Sequence, residues 1–295
     1  MHPETPTQDE NLQPIRHVVV VGAGTMGHGI AHVCAQAGCE VWLNDVNQAA
    51  IDAGLQKIQQ NLQVGVQKGK LSQEVMDATL GRLHGEPDLR TAAAMADLLV
   101  EAAPENVDLK RKIFQLATET LPAHAILASN TSSIPLRELV PGLPRPEQFI
   151  GMHFFNPVHL QPLLEIVLAV GTSAQTQAKI QEFALQLGKE AIVVRDVAGF
   201  ASSRLGLALG LEAIRMVEEG VASPADIDRA MELGYRHPMG PLKLTDLVGL
   251  DVRLAIAETL AKELDPVRFA PPQLLRDMVA AGKLGKKTGE GFYKY

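Results

Sequence analysis

His153 and Glu165 are the side chains of this sequence whose types and spacing most directly suggest acid–base chemistry. Apolar segments at 149–153 and 164–167 flank a connection broken by Pro157 and Pro162, so adjacent antiparallel strands could set the two residues within hydrogen-bond reach. An imidazole titrates close to working pH, and a neighbouring carboxylate fixes its tautomer and stabilises the imidazolium that forms. Such a pair can take the proton of a secondary alcohol while a hydride leaves the same carbon. Spacing alone fits a structural histidine and a solvated strand-end acid equally well, since geometry must precede the assignment of a base. Two more polar groups fall beside strand ends: Ser132, within Ser129-Asn130-Thr131-Ser132-Ser133, and Asn156, within His153-Phe154-Phe155-Asn156-Pro157.

A departing hydride needs an acceptor, and the start of the chain carries the pattern that binds one. The apolar run His17-Val18-Val19-Val20-Val21 leads directly into Gly22-Ala23-Gly24-Thr25-Met26-Gly27, a G-x-G-x-x-G turn that opens a helix. Gly22 permits the tight turn, Gly24 lets the backbone approach a pyrophosphate, and Gly27 allows close helix–strand packing. The N–H groups at the helix start, near Thr25 and Met26, then face the phosphates. A second strand-like run, Glu40-Val41-Trp42-Leu43-Asn44, ends at Asp45, placed to accept bonds from the adenosine ribose. An acid here favours NAD over NADP, whose 2′-phosphate would meet like charge. A lone glycine turn would be weak evidence; the strand before it, the helix after it and the acid beyond it weigh against an incidental one.

These groups need a scaffold, and the pattern of elements predicts an α/β protein. Strand and helix periodicities alternate as far as residue 194: helices over 25–37, 49–68, 107–120 and 174–187, and strands over 98–102, 126–129, 149–153, 164–167 and 191–194. Alternation of this kind implies a Rossmann-like, doubly wound, mainly parallel sheet. Helical periodicity dominates beyond Gly199, over 200–219, 223–231, 250–264 and 273–281. The expected organisation is therefore a tail at 1–14, a dinucleotide-binding domain at 15–196 and a smaller all-α domain at 197–295. The apolar run 205–211 in the helical part fits ordinary core, the commoner case, but a helical domain this small with so much apolar surface is expected to form a homodimer interface.

With 46% hydrophobic residues among 295, the chain can bury a large core, and its apolar runs are too short and too interrupted to cross a bilayer. The beginning, MHPETPTQDENLQ, is polar and acidic, unlike a secretory signal. Two cysteines, Cys34 and Cys39, fit packing thiols in a cytoplasmic protein, with no metal-ligand set around them. A formal charge of −7 argues against nonspecific nucleic-acid binding.

Several motifs carry a family likeness: VVGAGTMG near the start, EAAPEN at 101–106, ASNTSS at 128–133, GMHFFNPV at 151–158, HPMGPLKLTDLVGLD at 237–251 and GKKTGEGFYKY at the end. By these the chain resembles the L-3-hydroxyacyl-CoA dehydrogenases, in the short form that includes bacterial 3-hydroxybutyryl-CoA dehydrogenases, from about residue 15 to its end. The resemblance implies reversible NAD-dependent oxidation of an (S)-3-hydroxyacyl-CoA to the 3-oxoacyl-CoA. It implies that His153 is the general base paired with Glu165, and that Ser132 and Asn156 meet both cofactor and the substrate's 3-oxygen and thioester region. Glu105 and Lys110 are implied to contact NAD, and Lys287 to lie near the cofactor. Where the family has Asn before Arg after the Gly-Phe pair, this chain has Ser203 before Arg204, a shorter substrate-facing group with one donor. Phosphates of an acyl-CoA partner call for local cations, with Lys57, Lys68 and Lys70 as candidates, although a solvated helix face explains each of them as well. Two rivals remain open: the same fold acting on a free hydroxy acid or sugar acid, and a noncatalytic NAD-binding protein.

Overall fold

The computed structural model describes residues 14–295. Nearly all of the segment expected to be a tail, residues 1–13, lies outside the described residues. The chain divides into two compact units, one reaching Asp196 and the other Val197–Tyr295.

The first unit is built on an eight-stranded sheet. Its elements are β1 (His17–Val21), α1 (Gly27–Gln36), β2 (Glu40–Asn44), α2 (Gln48–Gln67), α3 (Gln73–Leu80), β3 (Leu83–Gly85), α4 (Leu89–Ala93), β4 (Leu98–Glu101), α5 (Val107–Thr118), β5 (Ile126–Ser129), β6 (Phe149–Phe154), β7 (Leu163–Leu168), α6 (Ala174–Gln186) and β8 (Glu190–Arg195). The strands lie in the order β3-β2-β1-β4-β5-β6-β7-β8, and every neighbouring pair is parallel except β6 and β7. The expected mainly parallel, doubly wound sheet is therefore present. Central strands covered on both faces must be apolar throughout, which is why β1 is a run of valines and β4 and β5 are buried at every residue. Val18, Val20, Leu43, Leu98, Val100 and Ile150 belong to the core cluster that α1 seals with Ile30 and Cys34.

Helix starts are set by side-chain caps. Asn47, Ser72, Asp88, Asn106 and Ser173 each accept a backbone N–H from the first turn of α2, α3, α4, α5 and α6 respectively. The start of α1 has no such side-chain cap, and its first N–H groups follow the exposed Gly24 and Thr25. Chain order reverses at β1, from which the chain goes to β2 on one side and, later, to β4 on the other. This opens a crevice beyond the carboxyl ends of those strands.

The second unit is helical: α7 (Ser202–Glu218), α8 (Pro224–Gly234), α9 (Pro241–Val248), α10 (Leu250–Glu263) and α11 (Gln273–Ala280). Its own core gathers Leu207, Leu211, Ile214, Leu242, Leu260 and Phe269. Two buried aspartates tie it together. Asp228 accepts the N–H groups of Leu242 and Lys243 at the start of α9 and the Tyr293 hydroxyl, and Asp246 accepts the N–H groups of Phe292 and Tyr293 and the Tyr295 hydroxyl. Among the described residues no helix is long and apolar enough to cross a membrane.

Candidate functional site

The glycine-rich turn between β1 and α1 is dictated by sterics. Gly22 holds φ at +102°, and a Cβ there would come within 2.7 Å of the Ala102 carbonyl oxygen at the end of β4. A Cβ at Gly27 would run into the Gly22 carbonyl. At Gly24 nothing lies within 4 Å of the same position, so the turn presents bare backbone to open space, as a pyrophosphate cradle must. Asp45, just past β2, accepts the Ala23 N–H through Oδ2 at 2.7 Å and the Val46 N–H through Oδ1 at 2.7 Å, which binds the acid to the turn. Beside it lies a cavity of about 290 Å³, lined by Val21, Asn44, Asp45, Pro87, Leu109 and Ile113 among others. A mostly apolar slot next to an acid and a naked turn is a fitting place for an adenine ring, its ribose and its phosphates.

Three strands along the sheet from β1, the only antiparallel pair among the described residues of the sheet places His153 of β6 directly opposite Glu165 of β7. Nδ1 of His153 is 2.7 Å from Oε2 of Glu165, and the two side chains are 8% and 0% exposed. Because a carboxylate can only accept, Nδ1 carries the hydrogen in this contact and the neutral ring keeps its lone pair on Nε2. Asn130, just past β5, accepts the Phe154 N–H at 2.9 Å, so the ends of β5 and β6 are held together beside this pair. Asn156 is exposed two residues past the end of β6, and its bond to Pro157 is cis.

The third part is the turn after β5 that carries Ser132. One oxygen of Glu105, Oε1, accepts the Thr131 hydroxyl at 2.6 Å, the Ser132 and Ser133 N–H groups at 3.0 Å each, and the Ser133 hydroxyl at 3.0 Å. Its other oxygen lies 3.3 Å from Nζ of Lys110, whose side chain is 1% exposed. Lys110 also pairs with Glu101 at 2.6 Å, and Glu101 takes the Ser129 hydroxyl at 2.7 Å. Burial pushes the Glu105 carboxyl upward, but the Lys110 ammonium and the Thr131 hydroxyl outweigh it and hold the group below its usual range. Burial dominates at Glu101 and raises its proton affinity against the pull of Lys110.

The remaining sequence candidates divide by unit. In the helical unit, Lys287 is exposed and donates to both oxygens of Asp251, at 2.6 and 2.7 Å, and Ser203 sits in the first turn of α7. Lys57, Lys68 and Lys70 are exposed on and after α2. Reasoning from sequence missed Glu101 and Asn130 as organisers of the site. The available signal was weak: an acid ending an apolar strand, and an Asn just beyond the next one.

Comparison with known proteins adds an independent line. Residues 17–197 match the model of the 3-hydroxyacyl-CoA dehydrogenase NAD binding domain, and residues 199–295 match that of the 3-hydroxyacyl-CoA dehydrogenase C-terminal domain. A probable 3-hydroxybutyryl-CoA dehydrogenase of Deinococcus radiodurans is 46% identical over 94% of this chain and 99% of its own length. The 3-hydroxybutyryl-CoA dehydrogenase of Mycobacterium tuberculosis is 43% identical over 95% of this chain and 99% of its own. Among solved structures, the (S)-3-hydroxybutyryl-CoA dehydrogenase of Ralstonia eutropha superposes with a TM-score of 0.92 at 42% identity, covering 95% of this chain and 99% of that one.

Proposed function

Because the chain belongs to the 3-hydroxyacyl-CoA dehydrogenase family and is an NAD-dependent oxidoreductase, we propose that it interconverts (S)-3-hydroxybutyryl-CoA and acetoacetyl-CoA with His153 as general base. The observation that carries this reading is the buried His153–Glu165 contact on facing strands. With Nδ1–H committed to Glu165, Nε2 takes the proton of the 3-hydroxyl, and the buried carboxylate stabilises the imidazolium that results. In reduction the same nitrogen returns the proton to the 3-oxygen. The Ser132 hydroxyl and the Asn156 amide supply donors to the 3-oxygen and the thioester carbonyl as charge shifts onto them. Gly22, Gly24, Thr25, Met26, Gly27 and Asp45 are the residues that would hold NAD, and NAD supplies the acceptor for the hydride.

The helical unit leaves Leu205, Leu233, Tyr235 and Leu247 more than half exposed, and we assign this apolar surface to a second copy of the chain. Cys34 and Cys39 are buried free thiols, which suits a reducing cytoplasm.

The test is oxidation of NADH with acetoacetyl-CoA, with free acetoacetate and with longer 3-oxoacyl-CoA esters, in wild type and His153→Ala. Turnover of the thioester alone, reduced by roughly a hundredfold or more in the variant, supports general-base catalysis on a CoA ester. Turnover of the free acid at a comparable rate moves the substrate class to free hydroxy acids.

A further inference from the structure

Arg253 occupies a position where its helix otherwise buries apolar side chains. The buried residues of α10 are Leu250, Arg253, Ala257 and Leu260, a stripe at helical spacing that faces the core of the helical unit. Arg253 is 6% exposed, its Nε is buried with no hydrogen-bond partner, and among the described residues no carboxylate pairs with its guanidinium. Asp251, two residues earlier, is turned to Lys287 instead. Burial alone lowers the Arg253 pKa, to about 10, so the group stays charged at neutral pH. A buried charge without a counter-charge is costly, and an apolar side chain of similar volume serves such a position better unless something uses the charge.

The neighbouring helix leaves room for that use. Gly206 of α7 lies beside Arg253: a Cβ there would already stand 3.6 Å from Nη1, and any longer side chain would fill the space next to the guanidinium. Ser203 precedes Gly206 by one turn on the same face of α7, a rise of about 4.5 Å. The guanidinium also selects its partner, because its planar fork matches the two oxygens of a carboxylate. We propose that Arg253 recognises a carboxylate at the far end of the acyl chain, so that among 3-hydroxyacyl-CoA substrates of equal length this protein prefers those ending in a carboxylate to those ending in a methyl group. The proposal rests on the reading of the chain as a 3-hydroxyacyl-CoA dehydrogenase and of Ser203 as a substrate-facing group. A carboxylate end completes the buried ion pair, whereas a methyl end displaces water from the guanidinium and leaves it unpaired.

The test compares reduction by NADH of 3-oxoadipyl-CoA, whose six-carbon chain ends in a carboxylate, with that of 3-oxohexanoyl-CoA, its methyl-ended counterpart, in wild type, Arg253→Met and Arg253→Lys. Wild type is expected to favour the carboxylate ester by about tenfold or more in kcat/KM. Arg253→Met should abolish or reverse that preference, with the loss falling on KM for the carboxylate ester, and Arg253→Lys should restore part of it as a point charge without the fork. Because methionine removes an unpaired buried charge, Arg253→Met should fold, with a urea midpoint equal to or above that of wild type. Adipate, the free six-carbon diacid, should raise the midpoint of wild type and leave that of Arg253→Met unchanged. Equal preferences in wild type and Arg253→Met overturn the proposal. With the preference intact, a change from dimer to monomer by light scattering assigns the guanidinium to a carboxylate of a second copy, and a lowered urea midpoint makes it a structural cation. Wild type that turns over no CoA ester defeats the functional reading, while the adipate response of the two proteins still decides whether Arg253 binds a carboxylate.

Discussion

Glu165 stands in the middle of a six-residue strand of leucine, isoleucine and valine, with its side chain fully buried. A carboxylate in that setting is costly unless a specific group uses its charge, and the partner it meets is the Nδ1 side of His153. The prediction at this scale is that Glu165→Gln keeps an acceptor for Nδ1–H but removes the charge that stabilises the imidazolium. Its kcat should fall on the order of a hundredfold or more while the Kd for NADH stays within about threefold. Steady-state rates beside an NADH titration check it, and an unchanged kcat would remove the carboxylate from the mechanism. Asp45 makes the opposite kind of prediction. It reaches only the turn and the cavity beside it, so Asp45→Ala should raise the KM for NAD roughly tenfold and narrow the preference for NAD over NADP, with kcat little changed. Comparative kinetics with the two cofactors would show this; a selective loss of kcat would place Asp45 in the chemistry instead.

Among the elements, the C-terminal segment shows most clearly how a buried acid organises a fold. Asp246 in α9 is 1% exposed and accepts two backbone N–H groups at 2.9 Å and the Tyr295 hydroxyl at 3.1 Å, so it docks the last residues onto the helical unit. Asp246→Ala should destabilise that unit by about 2–4 kcal/mol and expose the segment to carboxypeptidase. Lys287→Ala breaks only the exposed pair with Asp251, where the two side chains are 45% and 39% exposed, and should cost under about 1 kcal/mol. Urea unfolding of the two variants separates the cases, and equal losses would mean that Asp246 does not anchor the segment. What the sequence revealed about the elements follows the same physics. Long buried runs such as β1 and capped helices such as α2, with Asn47, announce themselves through apolar period and cap chemistry. α3, β3 and α4 did not, because eight, three and five residues are too short for a period to register. The site divides likewise: His153 and Glu165 were readable from a proline-broken pair of apolar segments, and the cradle from its glycines. Glu101 was not, since its role comes from the register that sets it against Ser129, a property of strand pairing.

For the whole molecule, assembly and acid stability are the properties these residues govern. Leu205 is 71% exposed in the first turn of α7, and if the helical unit pairs two chains there, Leu205→Asp should give monomers by light scattering with its core intact. An unchanged mass would move the interface elsewhere. Acid stability depends on His32, a residue of α1 that is 2% exposed, stacks on His159 with ring centroids 5.2 Å apart, and has no hydrogen-bond partner for Nδ1. Burial, then the charges of His159, His28 and Lys189, lower its pKa from 6.5 to about 4, against a contact from Gln36 that raises it. The folded chain therefore keeps this ring neutral at a pH where the unfolded chain protonates it. Stability contributed by the neutral ring is complete above pH 6.5, falls as pH drops through the window from 6.5 to about 4, and is lost in full below it. At about pH 5 the loss amounts to about 2 kcal/mol, and wild type should lose that much more than His32→Gln between about pH 7.5 and about pH 5 in urea unfolding. Parallel losses in the two proteins would assign the acid sensitivity to other groups, beginning with His159, whose proton affinity burial also lowers. Because His32 lies in the helix that follows the glycine turn, saturating NAD should oppose the same loss by binding the folded form alone, which an unfolding series with and without cofactor at about pH 5 would measure.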